Sequence, residues 1–268
     1  METGLAHPIY DSIRDCLGKL KDFSHENLNR LAEQSRIATE SGKAIRFVPP
    51  SAADSYYEVH LYETGRVQTR PDNRHDLFNA LAWLAFPKTK ARINAMHAAE
   101  IPKEGGKRGR IRDMLTIFDE GGAIVACRDG GIAELVEQAQ WRELFVERHE
   151  DFRIAVIGHA VLEQALQLPN TARLGLTCKV IFANASRSLD AQAAEWLATR
   201  GSSPRDLPPL PVLGYPGWFP RSGEPGFYED ERYFRPLPHA RMPTGVGRAA
   251  AVAQAAEESP GSIERDAG

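Results

Sequence analysis

The chain has 268 residues, 42% hydrophobic and 26% charged, with a formal net charge of −3. That length lies between one domain and two, and the composition is that of a globular protein able to bury a sizeable core. The slightly acidic balance excludes wholesale attraction to nucleic acid or membrane surfaces, and no run approaches the ~20 apolar residues that span a bilayer.

The N-terminus, Met1 to Pro8, lacks the basic and apolar regions of a signal peptide. Ile9, Ile13, Leu17 and Leu20, then Leu28, Leu31, Ser35 and Ala38, fall at helical spacing and predict two helices in the first forty residues. Pro49-Pro50 closes a short apolar stretch, Ile45 to Val48. Tyr57, Val59 and Leu61 alternate with polar residues and predict a strand before a turn at Gly65. Residues 75–86 read as a helix started by Asp72 or Asn73 and stopped at Pro87; Thr89 to Glu100 reads as the next. Leu115 to Phe118 and Ala123 to Ala126, joined through Asp119-Glu120-Gly121-Gly122, predict a β-hairpin. Further on, the pattern predicts helices at Ile132–Val146, His159–Leu168 and Leu189–Thr199, and strands at Ile154–Ile157 and Thr177–Phe182. Strands and helices do not alternate regularly, so the expected fold is a single mixed α+β domain over residues 1–243.

Ten of the eighteen prolines lie between 204 and 243, yet seven aromatic residues sit among them. Disordered segments are poor in aromatics, so residues 207–238 are expected to form an irregular strap packed on the domain. From Thr244 onward there is no Leu or aromatic residue, and the tail 244–268 is expected to be disordered. Cys16, Cys127 and Cys178 are odd in number and widely separated, which points to a reducing compartment, the cytosol, and excludes a cysteine-based zinc ribbon.

The stretch G-R-V-Q-T-R-P-D-N-R-H-D-L-F-N-A-L-A-W-L-A-F-P at 65–87 resembles the proteobacterial family known as domain of unknown function 3025. R-D-M-L-T-I-F-D-E at 112–120, G-H-A-V-L-E at 158–163 and L-P-V-L-G-Y-P-G-W at 210–218 extend the resemblance over most of residues 5–238. It implies a bacterial protein with a shared fold and brings no activity. Arg74 departs from the bulky apolar residue expected there, and a pocket wall at that position would be altered.

On a helix over 75–86, Leu77, Phe78, Leu81 and Leu84 form the core arc, while His75, Asp76, Asn79 and Trp83 share the opposite one. A solvent-facing arc would carry Lys and Glu, so this one reads as a pocket wall, with Trp83 as ligand surface. Asp76 also fits a capping position three residues after Asn73. His159 and Glu163 are i, i+4 on a helix opened by Gly158, spaced as two metal ligands or as a base and its orienting carboxylate. A local His–Glu hydrogen bond is the alternative. Asp113, Asp119 and His97 are the available further ligands.

Residues 88–112 carry eight Lys or Arg against Glu100 and Glu104, a local excess of six positive charges. Within it Gly105, Gly106 and Gly109 flank Lys107 and Arg108 and would let backbone amides approach an anion. No Ser or Thr follows Lys107, so this is not a P-loop. Tyr215 and Trp218 offer stacking surface to a ligand or plug the core. No G-x-S-x-G, H-E-x-x-H or G-x-G-x-x-G pattern occurs.

The leading expectation is a cytosolic enzyme in which His75, Asp76, Asn79, His159 and Glu163 converge on one pocket. A His–carboxylate pair or a divalent metal would there activate water against an anionic small molecule. A non-enzymatic ligand- or peptide-binding protein, and a nucleic-acid-binding protein using the basic stretch 88–112, are the alternatives.

Overall fold

A computed structural model describes residues 5–51, 56–170 and 175–236, without the side chains of 169 and 170. The tail expected at 244–268 lies outside the described residues. In chain order the elements are α1 (Arg14–Lys19), α2 (His25–Gln34), β1 (Arg46–Val48), α3 (Tyr57–Thr64), β2 (Arg66–Gln68), α4 (Arg74–Ala85), α5 (Pro87–Glu100) and α6 (Arg110–Gly121). They continue with β3 (Gly122–Cys127), α7 (Gly131–Glu137), β4 (Phe152–Val156), α8 (His159–Gln164), β5 (Cys178–Asn184), α9 (Leu189–Thr199) and β6 (Pro209–Leu210). The result is a single α+β domain.

The larger sheet has the order β4-β3-β5-β6, with β3 antiparallel to β4 and parallel to β5. Strand β3 is buried along its whole length, because both faces of the sheet are covered. Ala123 and Val125 point into one core with Val156, Val180, Leu162 and the strap, while Ile124 points into the other with Phe118, Ile181 and Leu197. A second, two-stranded parallel sheet pairs β1 with β2.

Three sequence expectations are corrected here. Residues 57–61 are helix α3 and not a strand: Leu61 is its buried position, and Gly65 ends the helix in the left-handed conformation at φ 73°. The expected hairpin at 115–126 is half right. Its second arm is β3, but its first arm belongs to α6, because Ile111, Met114, Leu115 and Phe118 repeat with a period that favours a helix and pack against the sheet. Asp119 and Glu120 therefore sit in the last turn of a helix. The helix expected over 132–146 also stops early, at Glu137, where Ala139 takes φ 55°, and a π-helical turn follows at Glu143–Glu147.

The strap is irregular but packed. Trp218, Phe219, Phe227, Tyr233 and Phe234 are all buried; Phe219, Phe227, Phe234 and Tyr233 pack ring to ring and onto Phe145, while Trp218 meets Tyr215 edge to face. Tyr233 donates its hydroxyl hydrogen to the Leu176 carbonyl, which ties the strap to the chain leading into β5.

Gly122 and Gly158 bring the key corners together. The Ile157 and Gly158 amides both donate to the Gly122 carbonyl, at 3.1 and 2.8 Å. A Cβ at position 158 would lie 2.6–2.7 Å from the backbone of residues 120–122, so only glycine permits this approach. The contact sets the first residue of α8, His159, beside the last turn of α6.

Candidate functional site

Helices α3, α4, α5, α6 and α8 enclose a cavity of about 250 Å³ with a polar lining. A row of titratable groups runs from solvent to its wall. The Glu163 carboxylate, on α8, accepts from His75 Nδ1 at 3.0 Å. His75 Nε2 and His159 Nε2 share a hydrogen bond of 3.1 Å, with the rings edge to face. His159 Nδ1 then faces Asp119 Oδ2 at 3.7 Å. Lys90 Nζ donates to Asp119 Oδ1 and, at 2.8 Å, to Asn79 Oδ1.

Exposure changes sharply along the row. The His75 and Glu163 side chains are 41% and 37% exposed, whereas those of His159 and Lys90 are 6% and 4% exposed. Burial lowers the His159 pKa to about 4, against the Asp119 charge that raises it, so the ring is neutral near neutral pH. Burial also pushes the Asp119 carboxyl up, but Lys90 and the histidines outweigh it and hold the group below its usual range.

The two facing Nε2 atoms share one hydrogen, and His75 Nδ1 bonds to Glu163. His159 Nδ1 is buried and, among the described residues, has no hydrogen-bond partner, because Asp119 Oδ2 at 3.7 Å lies beyond hydrogen-bond reach.

The opposite wall comes from α3 and α5. Asn94, 1% exposed, donates Nδ2–H to the Glu58 carboxylate at 2.7 Å and to the Glu58 carbonyl at 2.9 Å, and its Oδ1 has no partner among the described residues. Burial raises the Glu58 pKa above its usual range. His97 Nδ1 accepts from Arg112 Nε at 3.3 Å, while Arg112 also pairs with Glu104 at 2.7 Å.

Of the residues singled out in sequence, His75, Asn79, His159 and Glu163 come together. Asp76 does not join them. Both its oxygens are held by Arg70 at 2.8 and 2.9 Å, and its amide donates to the capping Asn73 side chain. Trp83 lines the cavity, but Lys90 Nζ lies 5.7 Å from its ring centre and covers that face. Tyr215 and Trp218 belong to the strap core, with the Tyr215 hydroxyl donating to the Phe152 carbonyl at 3.0 Å. Arg108 reaches the cavity and Lys107 does not. Asp119 and His97 line it, and Asp113 does not. Arg74 is exposed and away from the cavity, so the departure there alters no wall of it.

Among the described residues no group of three His, Cys, Asp or Glu side chains is arranged to hold a metal ion. The two imidazoles bond to each other, and the donor set present fits proton transfer. The basic stretch is also less basic in space than in sequence. Lys90, Arg92, Lys103 and Arg112 pair with Asp119, Glu40, Glu100 and Glu104.

Sequence reasoning missed Lys90, Glu58 and Asn94 as site residues. Lys90 was one charge among eight, and Glu58 was hidden by reading its segment as a strand. A helical reading of 57–64 would have put Glu58 and Leu61 on one face at i, i+3.

The fold and the site together define an α+β protein with a charged pocket that has a bonded histidine pair at its wall. The chain belongs to the family described as protein of unknown function (DUF3025), whose family model matches residues 45–238. No curated protein and no solved structure matches it.

Proposed function

We propose that this protein is a cytosolic bacterial enzyme that acts on a small anionic molecule by general acid–base chemistry, with hydrolysis as the reaction class. The observation that carries this reading is the Glu163–His75–His159–Asp119 row, which connects solvent to a cavity otherwise walled by helices. A binding protein needs the cavity but has no use for a proton path into it.

In this reading His159 Nδ1, the ring nitrogen without a hydrogen bond among the described residues, takes a proton from water or substrate at the cavity wall. The Asp119 carboxylate stabilises the imidazolium, His159 Nε2–H passes its proton to His75 Nε2, and His75 Nδ1–H gives one up to Glu163 and bulk solvent. Lys90 keeps Asp119 ionised, and Asn79 keeps Lys90 in place. Arg108 and Arg112 supply positive charge for the anionic group. Three unpaired cysteines, two of them buried, agree with a reducing compartment. Among the described residues no helix is long and apolar enough to cross a membrane.

The test is a hydrolase screen over phosphate esters, carboxylic esters and amides, run on the wild type, His159→Gln and Asp119→Asn. Activity that falls by about 10²–10⁴-fold in both folded variants supports the assignment. A hydrolytic activity that both variants retain in full contradicts it.

A further inference from the structure

We infer that the substrate of this pocket carries an acyl carbonyl, in an ester or an amide, and that His97 Nε2–H binds and polarises its oxygen. The inference rests on the pocket being the site of acid–base hydrolysis. It adds the group that is cleaved and the residue that activates it.

The tautomer of His97 is fixed by its neighbour. Arg112 Nε–H donates to His97 Nδ1 at 3.3 Å. A guanidinium keeps its protons at any ordinary pH, so Nδ1 is the acceptor and the hydrogen of the neutral ring sits on Nε2. Arg112 is itself held in place. Its Nη1 donates to Glu104 at 2.7 Å, and the other Glu104 oxygen accepts the Gly109 amide at 2.7 Å. Burial, joined by the Arg112 charge and opposed by that of Asp119, lowers the ring's pKa to about 4 and keeps it neutral.

The remaining nitrogen belongs to the cavity. His97 is 4% exposed and lines it, and Nε2 bonds to no described residue. Lys90, Asn94 and His97 recur at i, i+4 and i+7, which turns one face of α5 to the cavity. Asp119 is the charge that acts most strongly on both His97 and His159, so the two buried imidazoles flank one carboxylate. Their free nitrogens are set in opposite senses. His159 offers a bare Nδ1, and His97 offers an N–H.

A neutral, fixed donor suits an oxygen on which charge develops during the reaction. A phosphoryl dianion fits this pocket poorly. Glu58, Asp119 and Glu120 line it alongside Lys90, Arg108 and Arg112, and Lys90 and Arg112 are already paired with Asp119 and Glu104. In acyl hydrolysis, water adds to the carbonyl carbon as its proton goes to His159 Nδ1. The C=O π pair moves onto oxygen, where His97 Nε2–H meets it. Breakdown restores the C=O bond, and the departing alcohol oxygen or amine nitrogen takes the proton back from His159 Nδ1. His97 keeps its own proton throughout.

Nitrogen-15 NMR of the histidine-labelled full chain, with butyramide, methyl butyrate and butyl phosphate as probes, decides the matter. His97, assigned by the loss of its signals in His97→Gln, should be the neutral Nε2–H tautomer near neutral pH. Butyramide and methyl butyrate should move its Nε2–H resonance further than butyl phosphate does. The Nδ1–H tautomer, an imidazolium near neutral pH, no response to either acyl probe, or a larger response to butyl phosphate overturns the inference. In the hydrolase screen, His97→Leu should lower kcat on acyl substrates by about 10²–10³-fold with KM little changed. A His159-dependent activity confined to phosphate esters would sink this inference and leave the acid–base reading standing. Acyl hydrolysis that needs His97 and ignores His159 would do the reverse.

Discussion

His75 Nε2 and His159 Nε2, contributed by residues 84 positions apart, meet at 3.1 Å, one ring at the surface and the other inside. The sequence separation means that this contact exists only through packing of α4 against α8 and of Gly158 against Gly122. Disturbing either support should separate the rings before it dissolves the fold.

Gly158→Ala is the direct way to disturb it. The added methyl would meet backbone atoms of residues 120–122 that cannot swing aside, and overpacking of this kind costs about 1–3 kcal/mol. Urea denaturation should show that loss, and the imidazole resonance of His159 should shift. A variant as stable as the wild type would mean that the corner is looser than described.

Lys90 and Asp119 form a nearly buried pair in which each partner justifies the other's charge. Lys90→Met should destabilise by about 3–5 kcal/mol, since it strands a carboxylate. The double variant Lys90→Met, Asp119→Leu should recover a good part of that loss. Additive losses in the double-mutant cycle would show that the two charges are not coupled.

The acid side of the stability profile should be set in part by two buried imidazoles. Burial lowers the pKa of His97 and of His159 from 6.5 to about 4. Between those values the unfolded chain binds more protons than the folded one, so stability is whole above about pH 6.5 and is lost as pH falls toward 4. Each ring contributes on the order of 3 kcal/mol at full extent. His97→Gln should therefore flatten the fall in unfolding free energy across this window. A variant profile parallel to that of the wild type would refute the assignment.

A cap links two distant helices. The Asp190 carboxylate, in the first turn of α9, accepts from the Lys88 and Thr89 amides at 2.9 and 2.8 Å, and so caps the start of α5. Asp190→Ala should cost about 1–2 kcal/mol in denaturant melts. A change within a few tenths of a kcal/mol would assign the capping to water.

Much of the fold was legible because helical period and caps are local signals. The helix over 189–199 and the one over 74–85, with Asn73 capping the latter, follow from spacing and side-chain chemistry alone. The turn residues Asp119-Glu120-Gly121-Gly122 misled, because an acidic-glycine sequence suits both a hairpin turn and the end of a helix that runs straight into a strand. That ambiguity hid Asp119 as a partner of His159. The histidines were legible as candidates, His75 from its company on an arc and His159 from its spacing to Glu163. Their mutual bond was not, and Glu163 turned out to serve His75 across the helix pair, since nothing local records which helix faces which. Asp76 and Trp83 carried the right chemistry on the right helix, but Arg70 and Lys90 claimed them.

Nitrogen-15 NMR of histidine-labelled protein, titrated with acid for the wild type and for Glu163→Gln, tests the proton row most directly. His159 should stay neutral down to about pH 4, and its ring nitrogens should respond to Glu163→Gln, a change two hydrogen bonds away through His75. A His159 ring that titrates near 6.5 and ignores Glu163→Gln would show two independent histidines and no path into the pocket.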